Sequence, residues 1–170
     1  MYSHNQIVDL LQRIARDHWQ IKSMGFGDIA EMSSNQLLYT VDSNNPVAPT
    51  FPLMWGIVKQ SQLLNNPLGA SELQKTYTII VCDKLKSDSS NVDEILSDCE
   101  QICLDVIAIL QDGSFNDYFF VDKSAILTPF QGLEETDDGA VGWMFDITFR
   151  QSYSNRCAVP AAIPSPIPIS

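Results

Sequence analysis

Positive charge is scarce in this chain: ten lysines and arginines stand against 21 aspartates and glutamates, giving a formal net charge of −11 and a pI near 4.3. That balance disfavours nonspecific attraction to nucleic-acid phosphates or to an anionic membrane surface. Sequence-specific nucleic-acid recognition is not expected. An acidic surface serves solubility first, and it also suits the wall of a channel through which DNA passes without sticking.

Histidine is nearly absent. His4 and His18 lie too far apart for the i, i+4 pairing of a helical zinc site, and His18 reads as a packed helix residue. The four cysteines, Cys82, Cys99, Cys103 and Cys157, include no Cys-x-x-Cys pair and are too few for a secreted disulfide scaffold. Three of them fall on apolar stripes, where a free thiol behaves as a small hydrophobe. No glycine-rich phosphate loop, Gly-x-Ser-x-Gly elbow or framed carboxylate pair occurs. Asp83 and Glu94 have the separation of the outer ligands of a calcium loop, but Leu85 and Asp88 stand where a ligand oxygen and a glycine are needed. The chain is therefore expected to be no enzyme, with no catalytic residue, no metal and no cofactor. No apolar run approaches the roughly 18 to 20 residues that span a bilayer, and the polar start, Met1 to Gln6, carries no export signal. Synthesis in a reducing cytoplasm and no membrane association follow as expectations.

What is present suffices for one domain of ordinary size: 170 residues, 45% hydrophobic and 18% charged. Ile7, Leu10, Leu11, Ile14, His18 and Ile21 recur at helical spacing, with Ser3 and Gln6 forming a capping box, and this helix is expected to end near Gly25. Strand-like pieces follow at Phe26–Met32 and Leu37–Val41. Asp42–Pro52, with three prolines, reads as an extended arm. Leu53–Val58 and Tyr77–Cys82 are expected buried strands, and Lys59–Lys75, which has no clear period, an irregular crossover between them.

The clearest element is a second helix, in which Val92, Ile95, Leu96, Cys99, Ile102, Cys103, Val106, Ile107 and Leu110 form one stripe. Asn91 stands at its N-cap and Gly113 at its stop. Further strands are expected at Tyr118–Val121, Ala125–Phe130 and Val141–Tyr153. The last alternates Trp143, Phe145, Ile147 and Phe149 with more polar residues. Asp138-Gly139 marks a hairpin that makes the last two strands antiparallel neighbours. The fold class is α+β: a single domain over residues 1–159, with a mostly antiparallel sheet packed against two long amphipathic helices. Residues 160–170, with four prolines, cannot continue a sheet and are expected to form an extended polyproline-like tail.

Three stretches carry a resemblance to a known family: Gly27-Asp28-Ile29 after the first helix, Thr76–Asp83 running into Asn91–Leu110, and Gly142-Trp143 through Phe149 to Cys157-Ala158-Val159-Pro160. In this order of elements the chain resembles the tail-terminator, tail-completion and neck proteins of tailed bacteriophages, closest to small virion proteins of crAss-like phages. The resemblance implies a structural virion protein at the neck or head-proximal end of the tail. Its copies would form a homo-oligomeric ring, sixfold or twelvefold, connecting portal or adaptor to tail around the DNA channel. Neighbouring phage neck, portal, adaptor or tail proteins would be its partners. The candidate assembly contacts are Asn45, Pro46, Pro49 and Pro52 in the arm, Glu134, Glu135, Asp137 and Asp138 at the hairpin, and Pro160, Pro164, Pro166 and Pro168 in the tail. The alternative from a different class is a soluble acidic protein that imitates DNA charge and occupies a DNA-binding partner.

Overall fold

A computed structural model describes residues 3–28, 32, 38–40, 50–65, 71–86, 89–112, 120–121, 125–131 and 139–153. They form a single α+β domain with a mixed sheet and two helices.

Helix α1 (His4–Asp17) begins with the expected capping box: Gln6 N–H donates to Ser3 Oγ (3.3 Å), and Ser3 N–H donates to Gln6 Oε1 (2.8 Å). It stops well before Gly25. His18 is its C-cap, and from Ser23 the chain is already a strand. Ile21 is buried, as its place in the apolar pattern required, but it lies beyond the helix.

Strand β1 (Ser23–Phe26) pairs antiparallel with β2 (Leu38–Thr40) and parallel with the first four residues of β3 (Leu53–Asn65). β3 pairs antiparallel with β4 (Ser71–Lys84) along its whole length, and β4 with β7 (Ala140–Tyr153). β5 (Phe120–Val121) and β6 (Thr128–Gln131) both pair antiparallel with β7. The sheet order is β2-β1-β3-β4-β7-β5, with β6 also on β7. The β6–β7 pairing brings the two strands flanking Asp138-Gly139 together as antiparallel neighbours, as the sequence indicated, although residues 132–138 between them lie outside the described residues.

Two glycines let β1 and β3 approach. A Cβ on Gly25 would lie 2.1 Å from the Trp55 ring, and one on Gly56 would lie 2.3 Å from the Phe26 ring. Each aromatic therefore lies over the glycine paired with it across the two strands, and the Trp55 indole N–H donates to Gly27 O (3.1 Å).

Helix α2 (Val92–Gln111) buries Ile95, Cys99, Ile102, Cys103, Val106 and Leu110 against the sheet. Asn91 occupies the N-cap position without capping the helix. Its side chain accepts instead from Lys86 N–H (2.9 Å), bracing the loop that enters α2. Both helices cover one face of the sheet, over Met54, Tyr77, Ile79, Val81, Phe145, Ile147 and Phe149. The Trp143 indole N–H fastens β7 to α2 by donating to Leu96 O (2.8 Å). On the opposite face a smaller cluster forms around Leu53, Trp55, Ile80, Cys82, Phe130 and Ala140.

Lys59–Lys75 is not an irregular crossover. It is a β-ribbon, in which β3 continues to Asn65 and β4 begins at Ser71 with continuous pairing. The physical reason is exposure. Every β3 residue from Val58 to Asn65 is exposed, so nothing imposed the alternation of a half-buried strand on the sequence.

Candidate functional site

Three elements built from the sheet merit weighing as functional features: the ribbon, an aromatic cleft beside it, and the buried thiols.

The ribbon consists of β3 beyond Val58, the start of β4 and the end of β7, with Asn65 paired to Ser71 and Ser71 to Tyr153 at its tip. Leu63 and Leu64 are adjacent in the strand, so they point to opposite faces, and they remain 45% and 43% exposed. Two apolar side chains this exposed, on opposite faces, gain only part of their burial free energy within the domain. On the face away from the helices the ribbon is laced by polar side chains. Lys59, at a bulge in β3, pairs with Asp146, which also accepts from Thr78 Oγ1 (2.6 Å). The Thr76 and Thr148 hydroxyls meet at 3.0 Å. Gln62 donates to Gln74 Oε1 (3.1 Å), and Gln74 donates to Glu72 Oε1 (2.7 Å). Burial alone would raise the Asp146 carboxyl. The hydrogen bonds from Lys59 and Thr78, with the Lys59 charge, outweigh it and hold the group below the usual carboxylate range. This network ties three strands together and leaves no side chain poised to react.

Beyond Gly56 the outer edge of β3 is open among the described residues. Gly27 N–H donates to Gly56 O (3.1 Å), and the β1 register ends at Phe26↔Gly56. From Val58 to Asn65 the strand is paired on its β4 side alone.

The cleft lies where α1 begins. His4 stacks nearly parallel to Tyr77 (5.9 Å, 8°), its Nδ1 is 3.0 Å from the Tyr77 hydroxyl, and Phe26 meets both rings edge-on. A cavity of about 300 Å³ opens there, lined by His4, Phe26, Gly27, Asp28 and Val58. Burial pushes the Tyr77 hydroxyl up to about 12, so it stays protonated at neutral pH and serves as a hydrogen-bonding group, not a nucleophile. His18 is buried at the end of α1, its ring 3.4 Å from Asp105 on α2.

Cys82, Cys99 and Cys103 are free and buried. Burial raises all three thiols, Cys99 and Cys103 to about 12. Such thiols are core-packing groups. Among the described residues no three His, Cys, Asp or Glu side chains gather as metal ligands, and no helix is long and apolar enough to cross a membrane.

Of the expected assembly contacts, Pro52 is the one that the structure describes. It is half-buried at the entry to β3, and its carbonyl accepts from Lys22 N–H (3.0 Å). Asn45, Pro46, Pro49, Glu134, Glu135, Asp137, Asp138, Pro160, Pro164, Pro166 and Pro168 lie outside the described residues. The ribbon was not among the contacts expected from sequence. Leu63-Leu64 followed by Asn66, Pro67 and Gly69, all turn-forming residue types, was the available signal.

No protein-family model matches the chain, and no curated protein matches it.

Proposed function

We propose that the chain is a structural subunit of a tailed-phage particle, forming a homo-oligomeric ring at the neck or the head-proximal end of the tail. The observation that supports this reading is the ribbon: a three-stranded tongue stiffened by its own polar network, with Leu63 and Leu64 exposed on opposite faces. An element of that kind costs little entropy to dock because it is already ordered, and its two leucines reach a neighbour on either side. Heterologous contacts of this sort close into rings when the rotation between copies fits. The negative charge, −11 overall, would keep such a ring from holding the DNA that passes through it.

The test is the mass of the purified full chain at rising concentration, with the paired variant Leu63→Ser, Leu64→Ser alongside. A species of six or twelve copies, lost in the variant while its thermal melt stays within a few degrees, is the expected result. A wild-type chain that stays monomeric at all concentrations, or a variant that assembles as well as wild type, overturns the reading.

A further inference from the structure

Two exposed apolar patches lie at opposite ends of the sheet, and the charges beside them are of opposite sign. We propose that the Leu63 face of the ribbon tip packs head-to-tail on a second copy of this chain, against Trp19 and Leu104 at the junction of α1 and α2. The inference rests on the ring reading above and names the two surfaces that meet.

The first patch is the ribbon face that continues the helix-covered side of the sheet. Leu63 stands opposite Leu73, and Leu73, Lys75 and Tyr77 alternate onto that side. From the Tyr77 row to the tip, Lys75 is the only charged side chain on this face among the described residues. The second patch lies at the other end of α1. His18, the C-cap of α1, is 3.4 Å from Asp105 of α2, so Trp19 and Leu104, the residue after the one and the residue before the other, flank a single bridge. They are 78% and 47% exposed. Trp19 is the exposed one of three tryptophans, since Trp55 is fully buried and Trp143 is half-buried and fastened to α2. An interface of standard size takes roughly 800 Å² from each partner, a footprint wide enough for both side chains, and tryptophan is among the residues most enriched at binding hot spots.

Sign and distance choose the occupant. α2 carries Asp93, Glu94, Asp98, Glu100 and Asp105 and no lysine or arginine, and Glu100, one turn before Leu104, is exposed on the same side of the helix. Two copies meeting α2 to α2 would set carboxylates against carboxylates, and two meeting ribbon to ribbon would set lysine against lysine. The unlike pairing brings leucine to leucine and tryptophan with a lysine facing the acidic helix, so complementary charge fixes the register that like charge forbids. The ribbon cannot reach its own patch. Ser23, Leu53 and Cys82 share one row of the sheet next to the end of α1, and Leu63 with Leu73 form another row nine residues away along β4, roughly 30 Å. The tip therefore meets such a patch on another copy, and repetition of that contact is the heterologous arrangement that closes into a ring.

Thiol crosslinking of the full chain in a Cys157→Ser background is the experiment, since Cys82, Cys99 and Cys103 are buried. With a short bis-maleimide, the chain carrying both Leu63→Cys and Leu104→Cys should give a ladder of covalent multimers, while either substitution alone should stay monomeric on a denaturing gel. A Leu63→Cys chain that dimerises by itself as readily overturns the head-to-tail pairing. An equal ladder from Leu64→Cys with Leu104→Cys overturns the choice of face. Trp19 supplies a measurement without crosslinker: its emission should shift to the blue as wild-type chain is concentrated, and the shift should vanish in Leu63→Ser and in Trp19→Phe. Trp19→Ala and Leu104→Ser should each weaken assembly at least about tenfold, and full assembly of both overturns the contact. Light scattering on the same samples separates this inference from the ring reading. Multimers of the wild-type chain without the ladder or the emission shift sink this contact alone, and a chain that is monomeric at every concentration sinks both.

Discussion

Replacing Gly142 by alanine should cost the domain more than almost any other single methyl group. Gly142 sits in β7 opposite Cys82 of β4, in the middle of the sheet. A Cβ there would lie 1.9 Å from Val81 O and 2.7 Å from Cys82 Cα, so the obstacle is main chain on a central strand, not the flexible end of a side chain. Relief requires β4 and β7 to part locally by about 1 Å, which stretches the adjoining hydrogen bonds and lifts Val81 and Phe145 out of close packing with α2. Overpacking of a filled interior typically costs about 1 to 3 kcal/mol, and each weakened ladder bond adds up to about 1 kcal/mol. A loss on the order of 3 kcal/mol is expected, which for a domain of this size lowers Tm by roughly 6 to 12 °C. Gly139→Ala is the control. Among the described residues its Cβ would meet only Leu85 Cδ1, at 3.3 Å, and a leucine methyl can move. Calorimetric or circular-dichroism melts of the two variants beside wild type decide the matter. A Gly142→Ala protein melting within about 2 °C of wild type would refute the strand spacing on which the sheet description rests.

Two further expectations concern the buried stripe of α2. Ile102 is fully buried, so Ile102→Asp forces an unpaired carboxylate into the core and should cost several kcal/mol, whereas Leu104→Asp, at a position 47% exposed, should change stability by no more than about 0.5 kcal/mol. Urea titration of both checks this, and a cooperatively folded Ile102→Asp protein of near wild-type stability would contradict the packing of the helix. The second expectation is chemical. With Cys99 and Cys103 raised to about 12 and Cys82 fully buried, the folded chain at about pH 8.5 should consume at most one equivalent of a thiol reagent, and all four after denaturation. Rapid reaction of two or more thiols in the folded chain would show that the stripe is open to solvent.

The parts of this fold legible in the sequence are those where one face is buried. The α2 stripe, the alternation of Phe145, Ile147 and Phe149 along β7 and the Ser3–Gln6 capping box each impose a pattern, because burying the wrong residue there is costly. The ribbon was illegible for the converse reason. Val58–Asn65 is wet throughout, and its residues were never sorted into inside and outside. The end of α1 was misplaced because Ile21 continues the apolar spacing, yet burial of a side chain does not require helical backbone. Asn91 was found at the right position but with its hydrogen bonds elsewhere, since the side chain reaches the Lys84–Lys86 loop instead of the first turn. The parallel pairing of β1 with β3 left no local mark except the glycines. Gly25 and Gly56 are where two aromatic rings need room, and only the register reveals that.

The same reciprocal pairs explain why β3 changes character halfway along. Over Leu53–Gly56 it is a central strand, locked to β1 by Trp55 over Gly25 and Phe26 over Gly56, and fully buried. β1 is only four residues long, so this support ends at Gly56, and within three residues β3 bulges at Lys59 and is, among the described residues, an edge. A charged residue at a bulge is one of the devices by which proteins discourage unwanted strand pairing, and Lys59, anchored to Asp146, protects the base of the ribbon in that way. It does not reach the tip, where Leu63 and Leu64 remain exposed and β3 has no strand partner on its outer side among the described residues. A long, partly apolar edge left bare is a template for unwanted strand pairing.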